Sequence, residues 1–131
     1  MNEREEIVYR NEDKTFRLTV KNALGAPLDF SIGYNNIVIV IYNQDNSVFQ
    51  KYSRTVSAGW KSIDVTDQAT GILIIAIDST DTKTGSLSKK NIEVLVRKTD
   101  AGVTDDSKYD SITKKYLFTL KDSITSTLTL P

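Results

Sequence analysis

The chain has 131 residues, with 17 basic and 17 acidic side chains and neither cysteine nor histidine. Without cysteine there are no disulfides, thiolate nucleophiles or sulfur-ligated metals. Without histidine the usual general base near neutral pH and the commonest zinc ligand are missing. A balanced charge gives no long-range pull toward nucleic acid or an anionic membrane, and the length suits one domain with a single core.

The chain opens on MNEREEIVYRNEDK, which is charged where a secretory signal would be apolar, and its longest uninterrupted apolar run, Ile37 to Tyr42, covers only six residues. A membrane span needs about 20. The expectation is a soluble protein made in the cytoplasm. Within this opening, Ile7, Val8 and Tyr9 are enough to add an edge strand to a sheet, either the chain's own or a neighbour's. Residues 1–12 therefore read as an N-terminal arm.

Alternation takes over from there. In TFRLTV, Phe16, Leu18 and Val20 share one face while Arg17 and Thr19 share the other, the period-two mark of a half-buried strand. The same reading places strands at about residues 15–21, 28–32, 36–43, 47–54, 60–65, 71–78, 90–98 and 111–120. Turn formers separate them, including LGAP at 24–27, NQDN at 43–46, SAG at 57–59 and DQATG at 67–71. Helical spacing is hard to find anywhere. Short strands rich in Val, Ile, Thr and Tyr, with frequent turns, predict an all-β sandwich or barrel.

Two runs, NIVIVIY and GILIIAI, are apolar on both faces. Such a strand is either covered by the chain's own arms and loops or packed against another molecule. At the far end, DSITSTLTLP alternates Ile124, Ser126, Leu128 and Leu130 with threonines, so residues 122–131 read as a C-terminal arm that adds a strand elsewhere. The candidates for assembly contacts are thus Ile7, Val8, Tyr9, Ile124, Leu128 and Leu130.

Catalytic signatures fail in turn. The sequence has no GxGxxG, no GxxxxGK[ST] and no GxSxG, and without histidine no conventional triad can form. Asp64 with Asp67, or Asp78 with Asp81, could pair near strand ends as glycosidase-like carboxylates, but turn aspartates ordinarily cap their own backbone. DSTDTKTGS and TDAGVTDDSKYD are oxygen-rich loops, yet neither has the spacing that wraps calcium in an EF-hand. No cofactor and no enzymatic activity are expected. Aromatic residues offer a different chemistry: Tyr34, Tyr42, Phe49, Tyr52, Trp60, Tyr109 and Tyr116 could supply a sugar platform, with Trp60 and Tyr109 the two least committed to alternating strands.

The order of these segments carries a resemblance. TFRLTVKNALGAPLDFS, IVIVIYNQDNSVFQKY, VTDQATGILIIAI, DTKTGSLSKKNIEVLVRKTD and KKYLFTL follow one another between Phe16 and about Leu120. This resembles the N-terminal immunoglobulin-like domain of tailed-phage baseplate upper proteins and related phage virion structural proteins. Gly25, Pro27, Asp29 and Phe30 fill the family's first turn, D-x-x-G-x-P-x-D-L, with Phe30 where leucine is commoner and Asn22 where an aspartate is common. NQDNS forms the hairpin tip, Gly71 opens the sixth strand, and Thr82 with Gly85, two residues between them instead of three, falls where the family carries its T-x-x-x-G segment. No tyrosine closely follows Gly85, and the loop after Val96 is long.

The resemblance implies an immunoglobulin-like antiparallel β-sandwich of seven to eight strands over residues 13–121, between the two arms. It also implies a non-enzymatic part of a phage particle, in the neck, tail, baseplate or a head-decorating or fibre-anchoring position. Its partners would be other virion proteins and copies of itself around a symmetry axis, with no nucleic acid and no membrane. A carbohydrate-binding sandwich using Trp60 and Tyr109 is the alternative.

Overall fold

The computed structural model describes residues 5–98 and 109–122. Among these, eight strands form two sheets: β1 (Ile7–Tyr9), β2 (Lys14–Thr19), β3 (Tyr34–Asn43), β4 (Val48–Ser53), β5 (Lys61–Ser62), β6 (Ile72–Ile77), β7 (Lys89–Lys98) and β8 (Asp110–Lys121). The larger sheet runs β1-β8-β7-β3-β4-β5 and the smaller is the pair β2-β6. The protein is an all-β sandwich. β3, β7 and β8 lie in one sheet opposite β2 and β6. The pairing is antiparallel except at the two edges of the large sheet, where β1–β8 and β4–β5 are parallel.

Alternation decides what goes inside. Ile37, Ile39 and Ile41 of β3 and Ile92, Val94 and Val96 of β7 are fully buried, and they face Leu18 of β2 and Leu73, Ile75 and Ile77 of β6. Phe16 from the small sheet stacks on Phe118 from the large one with ring centroids 5.4 Å apart. The hydroxyl of Tyr52 on β4 crosses between the sheets to donate to the Ala76 carbonyl at 2.7 Å. With no disulfide available, these contacts hold the layers together.

Two expected strands turn out otherwise. Residues 28–32 form no strand; the segment meets β2's continuation only through a Lys21–Pro27 bridge and a Leu28 N–H bond to the Val20 carbonyl. Pro27 has no N–H to donate, the Asp29 carboxylate accepts from the Ser31 N–H and hydroxyl, and Gly33 has φ +81°. Local side-chain bonding therefore displaces the ladder, and Phe30 plugs the end of the core, fully buried. The Arg54 guanidinium ties this crossover down by donating to the carbonyls of Phe30 (2.6 Å) and Tyr34 (2.5 Å) and to Gln68 Oε1 (3.0 Å).

The expected strand at 60–65 divides between the sheets. Lys61 and Ser62 pair with β4, and Asp64 then bridges to Ile74 of β6, so the chain changes layers here with Ile63 buried. The sequence reading also missed a helix, α1 (Ser79–Thr84). Asp78 and Asp81 close it reciprocally: Asp78 Oδ1 accepts from the Asp81 N–H, and Asp81 Oδ2 accepts from the Asp78 N–H. Gly71, in a left-handed conformation at φ +78°, joins the short 3-10 turn Gln68–Thr70 to β6, and a Cβ there would lie 2.5 Å from the Val20 carbonyl oxygen.

Candidate assembly face

The small sheet covers only the inner face of the large one. On the outer face, the cross-strand register sets out a grid. Val40 of β3 lies between Lys51 of β4 and Glu93 of β7, and beyond Glu93 comes Lys114 of β8. In the next row Val38 lies between Ser53 and Leu95, and beyond them Asn36 pairs with Arg97. The outer face of an antiparallel sheet is ordinarily polar. Here Val38 and Leu95 are half-buried and central, while Val40 is 7% exposed.

Two aromatic side chains from distant parts of the sequence close over this strip. Lys61 pairs with Tyr52, so the preceding residue, Trp60, comes up beside Lys51, whose ammonium sits 4.8 Å from the indole centroid. Asp110 pairs with Val96, which sets Tyr109 beside Arg97, whose guanidinium carbon is 5.5 Å from the phenol ring centroid. Asn36 fixes the end of the strip: its Nδ2 donates to Tyr109 Oη (3.1 Å) and Ser53 Oγ (3.2 Å), and its Oδ1 accepts from the Thr55 N–H at 3.0 Å. The result is an open groove of about 450 Å³ between Trp60 and Tyr109, floored by Val38, Val40 and Leu95.

Electrostatically the strip is mixed. Glu93 has a side chain only 16% exposed and approaches Lys114 no closer than 3.9 Å. Burial, with the Glu93 charge adding to it, holds the Tyr42 hydroxyl above its ordinary pKa. Arg97 Nε is buried with no hydrogen-bond partner among the described residues. Acid and base therefore lie on the same outer face of β7, four residues and roughly 13 Å apart, with Leu95 between them.

The residues singled out from sequence distribute unevenly. Trp60 and Tyr109 both line this groove. Ile7, Val8 and Tyr9 form β1, which pairs with Thr119–Lys121 of its own chain; Val8 is fully buried in the chain's own core, Ile7 is half-buried, and Tyr9 is exposed. An Arg10–Asp122 ion pair at 2.7 Å and the Tyr116 hydroxyl on the Glu6 carbonyl hold that edge. Ile124, Leu128 and Leu130 lie outside the described residues. Asp64 caps its own turn through Thr66, and Asp78 and Asp81 cap α1 and share Lys61, at 3.1 and 2.7 Å. Among the described residues, no group of three or more acidic side chains is placed to hold a metal ion, and no helix is long and apolar enough to cross a membrane.

Val38, Leu95 and Arg97 were not named as site residues, although a signal existed. In NIEVLVRK, Leu95 interrupts the alternation that Glu93 and Arg97 otherwise keep, and in NIVIVIY the valines are as apolar as the isoleucines beside them.

A second unforeseen feature lies on the inner side. Lys90 keeps phase with Ile92, Val94 and Val96 and is fully buried. Its ammonium donates to the Ser86 carbonyl (2.6 Å), Ser88 Oγ (2.9 Å) and Ser86 Oγ (3.2 Å), 5.1 Å from the centroid of Phe49. Burial pushes its pKa down to about 8, against a counteracting pull from Asp45.

Comparison with protein-family models, with curated proteins and with solved structures finds no match.

Proposed function

We propose that this protein is a non-enzymatic assembly module that docks through the outer face of its six-stranded sheet, and that it serves as a structural component of a tailed-phage virion. The observation that supports docking is the strip of half-exposed Val38 and Leu95 beside the buried Val40, flanked by Trp60 and Tyr109 on a sheet whose other face is already packed. Apolar centre, aromatic and arginine neighbours and a polar rim make up the composition of protein–protein contact surfaces. The virion setting rests on the resemblance of the turn and strand sequence between Phe16 and Leu120. In that setting the chain's partners are other virion proteins and its own copies.

Particles made by the bacterium whose genome carries this sequence test the setting. Purified on a density gradient and digested for mass spectrometry, they should contain this chain in a copy number matching the particle's symmetry. Particles complete in every other structural protein but lacking this one would overturn it. A Val38→Lys chain, folded but carrying a charge at the centre of the strip, should be left out of the particles.

One observation favours a carbohydrate-binding module as a second reading: Trp60 and Tyr109, 49 positions apart in the sequence, line one groove with Asn36 and Ser53. Against it, Lys51 sits over the Trp60 ring and Arg97 over the Tyr109 ring, each occupying a ring face that a sugar would need for stacking. Saturable binding on a glycan array, lost in Trp60→Ala, would favour this reading over assembly.

A further inference from the structure

We infer that the occupant of the outer face is a second copy of the same chain, seated across a two-fold axis that lies in the contact plane, perpendicular to the strands and level with Val38 and Leu95. The inference rests on the assembly reading and names the partner and symmetry of the same face. A two-fold contact sets the same patch against itself, so the patch must be self-complementary. This one is. About such an axis β7 lies over its partner's β7 with the strand direction reversed. Leu95 then meets the second copy's Leu95, while Glu93, one row to one side, faces the second copy's Arg97 one row to the other.

Each copy supplies both members of the pair, so two Glu93–Arg97 contacts flank one apolar centre. The arrangement answers two features that the described residues of the single chain leave open: a largely buried Glu93 whose ion-pair partner among them, Lys114, is 3.9 Å away, and a buried Arg97 Nε that has no acceptor among them. Two sheets stacked face to face with nearly aligned strands pack about 10 Å apart, a spacing that side chains of the size of valine and leucine fill. Because the chain carries 17 charges of each sign, no net repulsion opposes the pairing of copies.

The test is charge exchange. Glu93→Arg sets cation against cation, and Arg97→Glu sets anion against anion, so each variant alone should dissociate about tenfold or more readily than the unaltered chain in sedimentation equilibrium. An equimolar mixture of the two should dimerise again, because each charge then meets its opposite on the other copy. A thiol on the axis supplies a readout that leaves the charges alone. The chain has no cysteine, so Leu95→Cys introduces a single thiol, which under mild oxidation should form a disulfide-linked dimer, whereas Leu24→Cys, on a distant exposed turn, should not.

An unaltered chain that stays monomeric at millimolar concentration overturns the inference. So does a mixture that stays monomeric although both variants keep the unaltered chain's circular dichroism, and so does equal crosslinking at positions 95 and 24. These outcomes separate from those of the wider reading: a chain found in purified particles but monomeric in solution removes the dimer and leaves the virion role standing. A dimer in solution with no copy in particles does the reverse.

Discussion

The two faces of β3 and β7 are built from nearly the same residues and end in opposite circumstances. Inward, Ile37, Ile39, Ile41, Ile92, Val94 and Val96 lose all contact with solvent beneath β2 and β6. Outward, Val38 and Leu95 remain half-exposed in a groove lined also by Asn36, Ser53, Trp60 and Tyr109. Hydrophobicity alone therefore does not say which face makes the core. What separates them is phase with the rest of the fold: among the described residues, the inner positions meet a second layer from the same chain, and the outer ones meet the Trp60 and Tyr109 rings at the sides of a groove. The inner face holds the fold, and the outer face is the one on which the proposed docking rests.

Truncating the inner face should give the largest effect. Ile39→Ala removes a fully buried side chain between the layers, in a site that cannot collapse without moving both sheets. A loss of about 3–4 kcal/mol is expected, measured by urea denaturation at neutral pH. A loss under about 1 kcal/mol would mean that the layers are looser than the burial of Ile39 indicates.

The inner face also holds its own exception in Lys90. Its pKa is about 8 in the folded chain against 10.5 for the free side chain, so below pH 8 the amine is charged in both states and the full cost of burying the charge falls on the folded one. As pH rises above 8, the folded state gives up the proton while the unfolded state keeps it, and stability rises with pH. By pH 10 the gain should reach about 2–3 kcal/mol, at about 1.4 kcal/mol per pH unit. Tyr52 acts in the opposite sense above its ordinary pKa of 10, because burial, followed by the Asp81 and Asp78 charges, keeps its hydroxyl protonated in the folded state. The useful window is therefore pH 8 to 10. In Lys90→Met the upward slope should vanish, and an unchanged slope in denaturation midpoints would show that some other group titrates.

Much of this architecture was legible because period-two patterning is local. TFRLTV, NIVIVIY, GILIIAI and NIEVLVRK each announced a strand, and the turn at 24–27 lies where Gly25 and Pro27 put it. The failures have a common cause in side chains that bond to nearby backbone. Asp29 satisfies the backbone of Ser31 and removes a strand, while Asp78 and Asp81 satisfy each other's N–H groups and create a six-residue helix without apolar periodicity. The outer face was half legible. Apolar residues on both sides of β3 announced it, but bringing Trp60 and Tyr109 to the same groove depended on how β5 joins β4 and β8 joins β7, and pairing between distant segments leaves no local mark.

The smallest expected effect on the fold comes from the outer face, and it sharpens the comparison most. Val38→Lys exchanges a half-exposed side chain for one that can lay its methylenes along the groove and carry its ammonium to solvent. No inner contact changes, since Ile37 and Ile39 on either side point the other way. The stability of the isolated chain should therefore move by no more than about 0.5 kcal/mol, as for surface positions generally. Association should suffer, because a lysine at the centre of the strip brings two ammonium groups together wherever the strip packs against itself, at a cost of several kcal/mol. Thermal unfolding at low concentration and sedimentation at high concentration read the two effects separately. If Val38→Lys unfolds the chain as readily as Ile39→Ala does, the outer face belongs to the core and the division between the faces fails.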